Sequence, residues 1–241
     1  MEFFYDFHIH SCLSPCGDND MTPYNLVNMA KILGLDIIAL TDHNTCQNCK
    51  SAIEVGEGIG LTVIPGMELC TSEEAHVVCL FPDIDSAMSF SDFVIDGMPN
   101  VRNKAAIFGD QFIMDSADGI IGSQEKLLTL AGNISISYVH DIVEQYGGVC
   151  YPAHIDRSSF SVISNLGMIT PDMKFSAVEM TDNADREKMK NEHPILNSAK
   201  IFSGSDAHYL ENMKEASHRI ELPECTAKAA VEHIKNLPQM I

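Results

Sequence analysis

Basic residues are scarce: 15 Lys and Arg stand against 34 Asp and Glu, a formal charge of −19 over 241 residues. A surface of that sign repels a nucleic-acid backbone unless metal ions or a local basic groove offset it. A nucleic-acid polymer is therefore disfavoured as a partner, and some of the negative charge could be ligand charge cancelled by bound cations. Long apolar runs are missing too. None approaches the roughly 18–20 residues that span a bilayer, and the opening MEFFYDFHIH lacks the basic stretch of a secretory signal. No membrane partner and a soluble, cytoplasmic protein are expected. There is no internal repeat and no low-complexity tract. Without an export signal, the eight Cys do not read as a disulfide framework. Cys70, Cys79 and Cys150 lie in apolar runs and read as buried thiols. CLSPC (Cys12, Cys16) and CQNC (Cys46, Cys49) fall in two early loops that could form a four-thiolate site, although reduced thiols are the simpler expectation.

Seven short apolar runs carry the architecture: FFYDFHI, DIIALTD, TVIPGMEL, AHVVCLF, GVCYPAH, SAVEM and KIFSGSD. Helix-like stretches separate them. Thr22 caps and Pro23 opens TPYNLVNMAKILG, with Gly34 as its stop. In SISYVHDIVEQYGG, Ile136, Val139, Val143 and Tyr146 share one face ahead of Gly147 and Gly148. Such alternation predicts a parallel sheet, and about seven strands with no obvious edge predict a closed barrel. Residues 98–134 break the pattern and read as an insertion, a small hairpin followed by a helix, on a single domain spanning 1–241.

His8 and His10 in DFHIHS are two residues apart, so on a strand both rings point to one face. Asp42 and His43, Glu68, His154, and Asp206 with His208 each end an apolar run, where parallel barrels gather functional groups. His76 lies in the run after Glu68. Six imidazoles buried at one end of a sheet would leave many ring nitrogens without partners. Imidazole with carboxylate suits Zn, Mn or Fe, so a metal cluster is expected. His140 reads as structural or exposed, and His193, His218 and His233 lack motif context. Tyr209 and Asn183 could line the mouth. The NIS sequon at 133–135 is one in form only.

The ordered set DFHIHS, TDHN, GMEL, PAHIDR and GSDAH resembles the PHP (polymerase and histidinol phosphatase) family over nearly the whole chain except the insertion. The resemblance implies an α/β fold, a distorted (β/α)7 barrel with two or three divalent metals at the C-terminal strand ends, and phosphoester hydrolysis. It implies that His8, His10 and Asp206 hold a first metal that Glu68 bridges to another. His43 and His208 would hold the second with a first-loop residue. Asp18, four positions before Thr22-Pro23, occupies that place, and Cys16 and Asp20 are neighbours that could substitute. His76 and His154 would complete a third site with Glu68. Ile155 stands where the family often has Pro. A water bridging two cations would attack phosphorus, with Arg157 steadying phosphoryl oxygens and Asp42 orienting a ligand ring. The expected substrate is a small phosphorylated metabolite or nucleotide. The alternatives are a 3′–5′ exonuclease-type phosphodiesterase or a non-catalytic metal-binding module.

Overall fold

The computed structural model describes residues 1–241. Its strands are β1 (Glu2–Ile9), β2 (Ile37–Leu40), β3 (Thr62–Cys70), β4 (His76–Leu80), β5 (Phe112–Met114), β6 (Ile120–Ser123), β7 (Val149–Pro152), β8 (Ala177–Glu179), β9 (Lys200–Phe202) and β10 (Arg219–Glu221). Between and after them come helices α1 (Pro23–Ile32), α2 (Cys49–Ile59), α3 (Ile84–Gly97), α4 (Ala105–Phe108), α5 (Ile136–Gln145), α6 (Val162–Leu166), α7 (Arg186–Glu192) and α8 (Ala227–Lys235). All seven apolar runs contain a strand. Thr22 caps α1 by accepting the Asn25 amide, with Pro23 in the first turn. Helix α5 buries Ile136, Val139 and Val143 on the expected face.

The fold is α/β as expected, and its curled half-barrel sheet is consistent with a distorted barrel, but the sheet is neither closed nor all parallel. Six strands form one sheet in the order β10-β1-β2-β3-β4-β7, and β8 pairs with β9 alone. Strands β1, β2 and β3 run parallel, but β4 is antiparallel to both β3 and β7. The five residues Thr71–Ala75 between β3 and β4 are too few for a helical crossover, which forces this reversal. The reversal also explains a ligand candidate: His76 begins its strand and yet lies at the end where β3 finishes, with Cys70 opposite it. The β8–β9 pair is tied to the sheet where its strands end. The Ile155 amide donates to the Glu179 carbonyl (2.9 Å), the Asp206 amide to His8 (2.8 Å) and the His10 amide to Ala207 (3.0 Å).

Two apolar clusters support this frame. The larger lies between the sheet and the helices, with Ile38 and Leu40 against Leu26, Val27, Ala52 and Val55. The smaller joins Tyr5, Phe7, Ile37, Tyr151 and Phe202 to Ala230, Val231 and Ile234 of α8. A register shift between Asp6 and Ile9 interrupts the β1–β2 ladder around His8, the kind of irregularity that re-aims side chains beside a site.

The insertion contains the expected hairpin, β5–β6, but no helix follows it. The short α4 comes before it, and residues 124–134 form turns and extended backbone. The reason lies in two asparagines of the loop after β2. Asn44 donates to the carbonyls of Leu128 (2.7 Å) and Leu130 (2.9 Å), holding that segment open while Leu127 and Leu128 are buried. Asn48 donates to Phe112 and accepts from the Met114 amide (2.9 Å), fastening β5 to the barrel. Asn48→Ala removes both contacts and leaves two backbone groups unpaired, at about 1–3 kcal/mol for each one that stays dry. Expected outcomes are faster hydrogen exchange at Met114 and a lower urea midpoint with unchanged helix content.

Candidate metal centre

Glu68, at the end of β3, is 1% exposed and ringed by imidazoles. Its Oε1 lies 2.9 Å from His76 Nδ1, 2.9 Å from His154 Nε2 and 3.2 Å from His8 Nε2. Its Oε2 lies 2.9 Å from His43 Nδ1 and 3.5 Å from His10 Nε2. Asp206 Oδ1 approaches His10 Nε2 (3.1 Å) and His8 Nε2 (3.4 Å), and His208 stacks on His10 with ring centroids 4.1 Å apart. Three sets of atoms are close enough to share a cation: His8, His10, Glu68 and Asp206; His10, His43 and His208; and His43, Glu68 and His76.

Proton positions can be deduced from the partners. Asp42 is fully buried at the end of β2 and accepts from the Ser11 amide (2.7 Å), the Ser11 hydroxyl (2.6 Å) and the Ser14 hydroxyl (2.7 Å). With its proton given to Asp42, Ser14 Oγ can only accept from His10 Nδ1, 2.9 Å away. His10 Nε2 is then a bare lone pair. His8 Nδ1 faces both oxygens of Glu179 (2.9 and 3.0 Å), so the neutral ring likewise turns a bare Nε2 inward. These two nitrogens are 3.2 Å apart. Two lone pairs that close repel unless a proton or a cation lies between them. His43 Nδ1 and Asp206 Oδ1, both buried, make no aligned hydrogen bond despite their close neighbours. The donor set fits divalent metals.

Electrostatics agree. Burial pushes the Glu68 carboxyl up, but charge on His76 and His8 and contacts with His154 and His43 outweigh it and hold it well below the usual range. Burial lowers His8, yet Glu179, Glu68 and Asp206 carry it well above the ordinary histidine value.

The sequence candidates divide clearly. His8, His10, His43, Glu68, His76, His154, Asp206 and His208 converge. Asp42, expected to orient a ligand ring, reaches the His10 ring through Ser14. Asp18 is outside the cluster, and its Oδ1 accepts the Asp20 amide (2.8 Å). Cys16 is there instead, its thiol against His208 and His43, whose contacts outweigh burial and draw it down to about 6. Arg157 pairs with Asp206 and is half-exposed. The four early cysteines do not converge: Cys46 and Cys49 bond to the Gly66 carbonyl, and Cys12 is turned to Phe112. Tyr209 and Asn183 are not among the pocket's lining residues. Sequence reasoning missed Glu179, a buried acid ending β8, and Gly204, where a Cβ would come within 2.6 Å of His8 Cβ and 2.9 Å of Glu179 Oε2.

The PHP domain family model matches residues 6–222. The chain therefore belongs to the PHP domain family. It is 36% identical over 141 residues to a 5′-3′ exoribonuclease of Salmonella typhimurium, covering 56% of this chain and 46% of that protein. The chain spans about half the length of the curated relatives it matches. Among solved structures, the lesion-specific endonuclease Q of Pyrococcus furiosus has the same fold (TM-score 0.72, 17% identity, 99% of this chain and 57% of that one). So does endonuclease Q bound to a 27-mer duplex with an abasic lesion (TM-score 0.70, 17% identity, 100% and 58%). These relatives overturn the expectation that a nucleic-acid polymer is disfavoured as a partner, and they lend no support to a small phosphorylated substrate. The net charge misled because it is a sum over the whole chain, whereas cations held by the cluster would reverse the sign locally. No helix is long and apolar enough to cross a membrane.

The proton relay is testable. In Asp42→Asn the new amide can donate to Ser14, which then donates to His10 Nδ1 and moves the ring proton to Nε2. Metal affinity is expected to fall roughly 10–100-fold, as for other groups that orient a ligand, with the circular dichroism spectrum unchanged. The measurement is zinc titration against a chromophoric chelator.

Proposed function

We propose that this chain is a metal-dependent hydrolase that cleaves phosphodiester bonds of nucleic acid, one nucleotide at a time, at the Glu68 cluster. The observation that carries the reading is the shape of the site. Glu68, His43, His76, His154 and His208 line a pocket of about 260 Å³ together with Arg157, Ser159 and Phe160. Such a volume suits a phosphate with its attached nucleoside and excludes a duplex. A polymer must therefore offer an end or an unstacked nucleotide. The exoribonuclease and endonuclease Q names of the relatives support a polymeric substrate.

His8, His10, Glu68 and Asp206 would hold one divalent cation, His43 and His208 a second, and His76 and His154, with Glu68, a third. Zn, Mn and Fe match these donors. When bound, such cations supply a water of lowered pKa as nucleophile and neutralise phosphoryl charge. The chain's own groups do the rest. Asp42 and Glu179 keep His10 and His8 in the tautomers that leave Nε2 free. Arg157 stands beside Asp206 with its side chain 43% exposed, able to reach a phosphoryl oxygen. Phe160 stacks on His76 with ring centroids 4.9 Å apart and is 46% exposed, offering a face on which a base can lie.

The test uses end-labelled single-stranded RNA and DNA oligonucleotides with metal-loaded protein. Cleavage is expected to stop on chelation. Glu68→Gln should lower kcat/KM roughly a hundredfold or more, in line with loss of a major electrostatic element, and Arg157→Ala should raise KM. Turnover of a small phosphomonoester with both oligonucleotides left intact would overturn the reading.

A further inference from the structure

Cys16 sits in a turn that the fold holds tightly. The Gly17 amide donates to the Ser14 carbonyl at 2.8 Å, with Pro15 and Gly17 at the corners a type I turn favours. A Cβ at Gly17 would come within 2.8 Å of the Ser11 carbonyl oxygen. Ser14 is anchored to Asp42, and the Pro15 carbonyl lies so close to Gly109 of the insertion that a Cβ there would approach it to 2.0 Å. The Asp18 amide donates to the His208 carbonyl at 2.8 Å, closing the loop onto that histidine. Cys16 is thereby held in the pocket with His43 and His208, and it is the one exposed thiol of eight. His43 Nδ1, buried 2.9 Å from Glu68 Oε2, lacks an aligned hydrogen-bond partner.

We propose that Cys16 is a metal ligand, its thiolate completing with His43 and His208 the cation position for which a first-loop carboxylate was expected. The inference rests on the reading of the cluster as a cation site. On coordination the sulfur–metal bond forms, the thiol proton leaves to solvent, and no oxidation state changes. A thiolate is softer than the carboxylate it replaces, so this position favours zinc or cobalt over manganese or magnesium.

Cobalt(II) added to metal-free protein distinguishes the possibilities. Wild type is expected to show visible d–d bands together with a near-ultraviolet sulfur-to-cobalt charge-transfer band. Cys16→Ser should keep the visible bands and lose the near-ultraviolet one, with zinc affinity down roughly tenfold or more. Asp18→Ala should keep both. Zinc should also protect Cys16 of wild type from iodoacetamide, a measurement that needs no variant. Visible bands without the charge-transfer band in wild type, its survival in a folded Cys16→Ser protein, or alkylation unchanged by bound zinc would each overturn the ligand. Absence of every cobalt band would overturn the cation reading of the whole cluster as well.

Discussion

A carboxylate held at 1% exposure needs compensation, and Glu68 has it from the imidazoles of His8, His43, His76 and His154, each within 3.2 Å. Without them burial would keep it protonated. Those rings come from β1, the loop after β2, the first residue of β4 and the segment after β7, so the charge can be satisfied only if these segments converge. The convergence extends outward. His8 needs Glu179, which draws β8 in; His10 needs Ser14, and Ser14 needs Asp42. The hydrogen bonds that attach β8 and β9 to the sheet fall at this same end. The half-barrel is thus tied together where its polar centre lies.

Much of this was legible because strand geometry is periodic. The two-residue spacing of His8 and His10 put both rings on one face, and apolar runs ending in His, Asp or Glu marked the end that carries chemistry. What escaped the sequence depends on partners far apart in the chain. Glu179 ends SAVEM much as Glu68 ends GMEL, and a lone acid in an apolar strand was the available signal. Its role emerges only when Gly204 lets it approach His8, 171 residues away. Ser14 reads as an ordinary turn residue until Asp42 is seen to take its proton. The leucines of EKLLTLAG suggested a helix, but Asn44 claims the carbonyls that a helix would need. Strands β8 and β9 have three residues each, too few to reveal that they stand apart from the main ladder.

The charge argument failed on a different scale. A total of −19 describes the far field, which salt screens within about 8–10 Å. A phosphate entering the pocket would meet a near field made by Arg157 and by any cations that the imidazoles hold. Glu68 and Asp206 add to the chain's acidic count, yet as metal ligands they would help create the positive spot. An acidic chain can therefore bind a polyanion through a small opening, provided that the strand beyond it is led away from the protein.

Backbone strain identifies the same region. Asn44 (φ 54°), His154 (φ 27°), Phe160 (φ 53°) and Asp206 (φ 50°) adopt left-handed conformations around the pocket, each costing of order 1–3 kcal/mol where a side chain is forced there. Each has a visible restraint. The Asn44 amide bonds to the Glu68 carbonyl and its side chain to the insertion; the residue after His154 bonds to Glu179; Phe160 accepts from the His76 amide; Asp206 donates to His8. A relaxed backbone at His154 or Asp206 would swing a ring or carboxylate away from Glu68. The strain is therefore maintained by the polar centre it serves, since releasing it would leave a buried carboxylate without its partners.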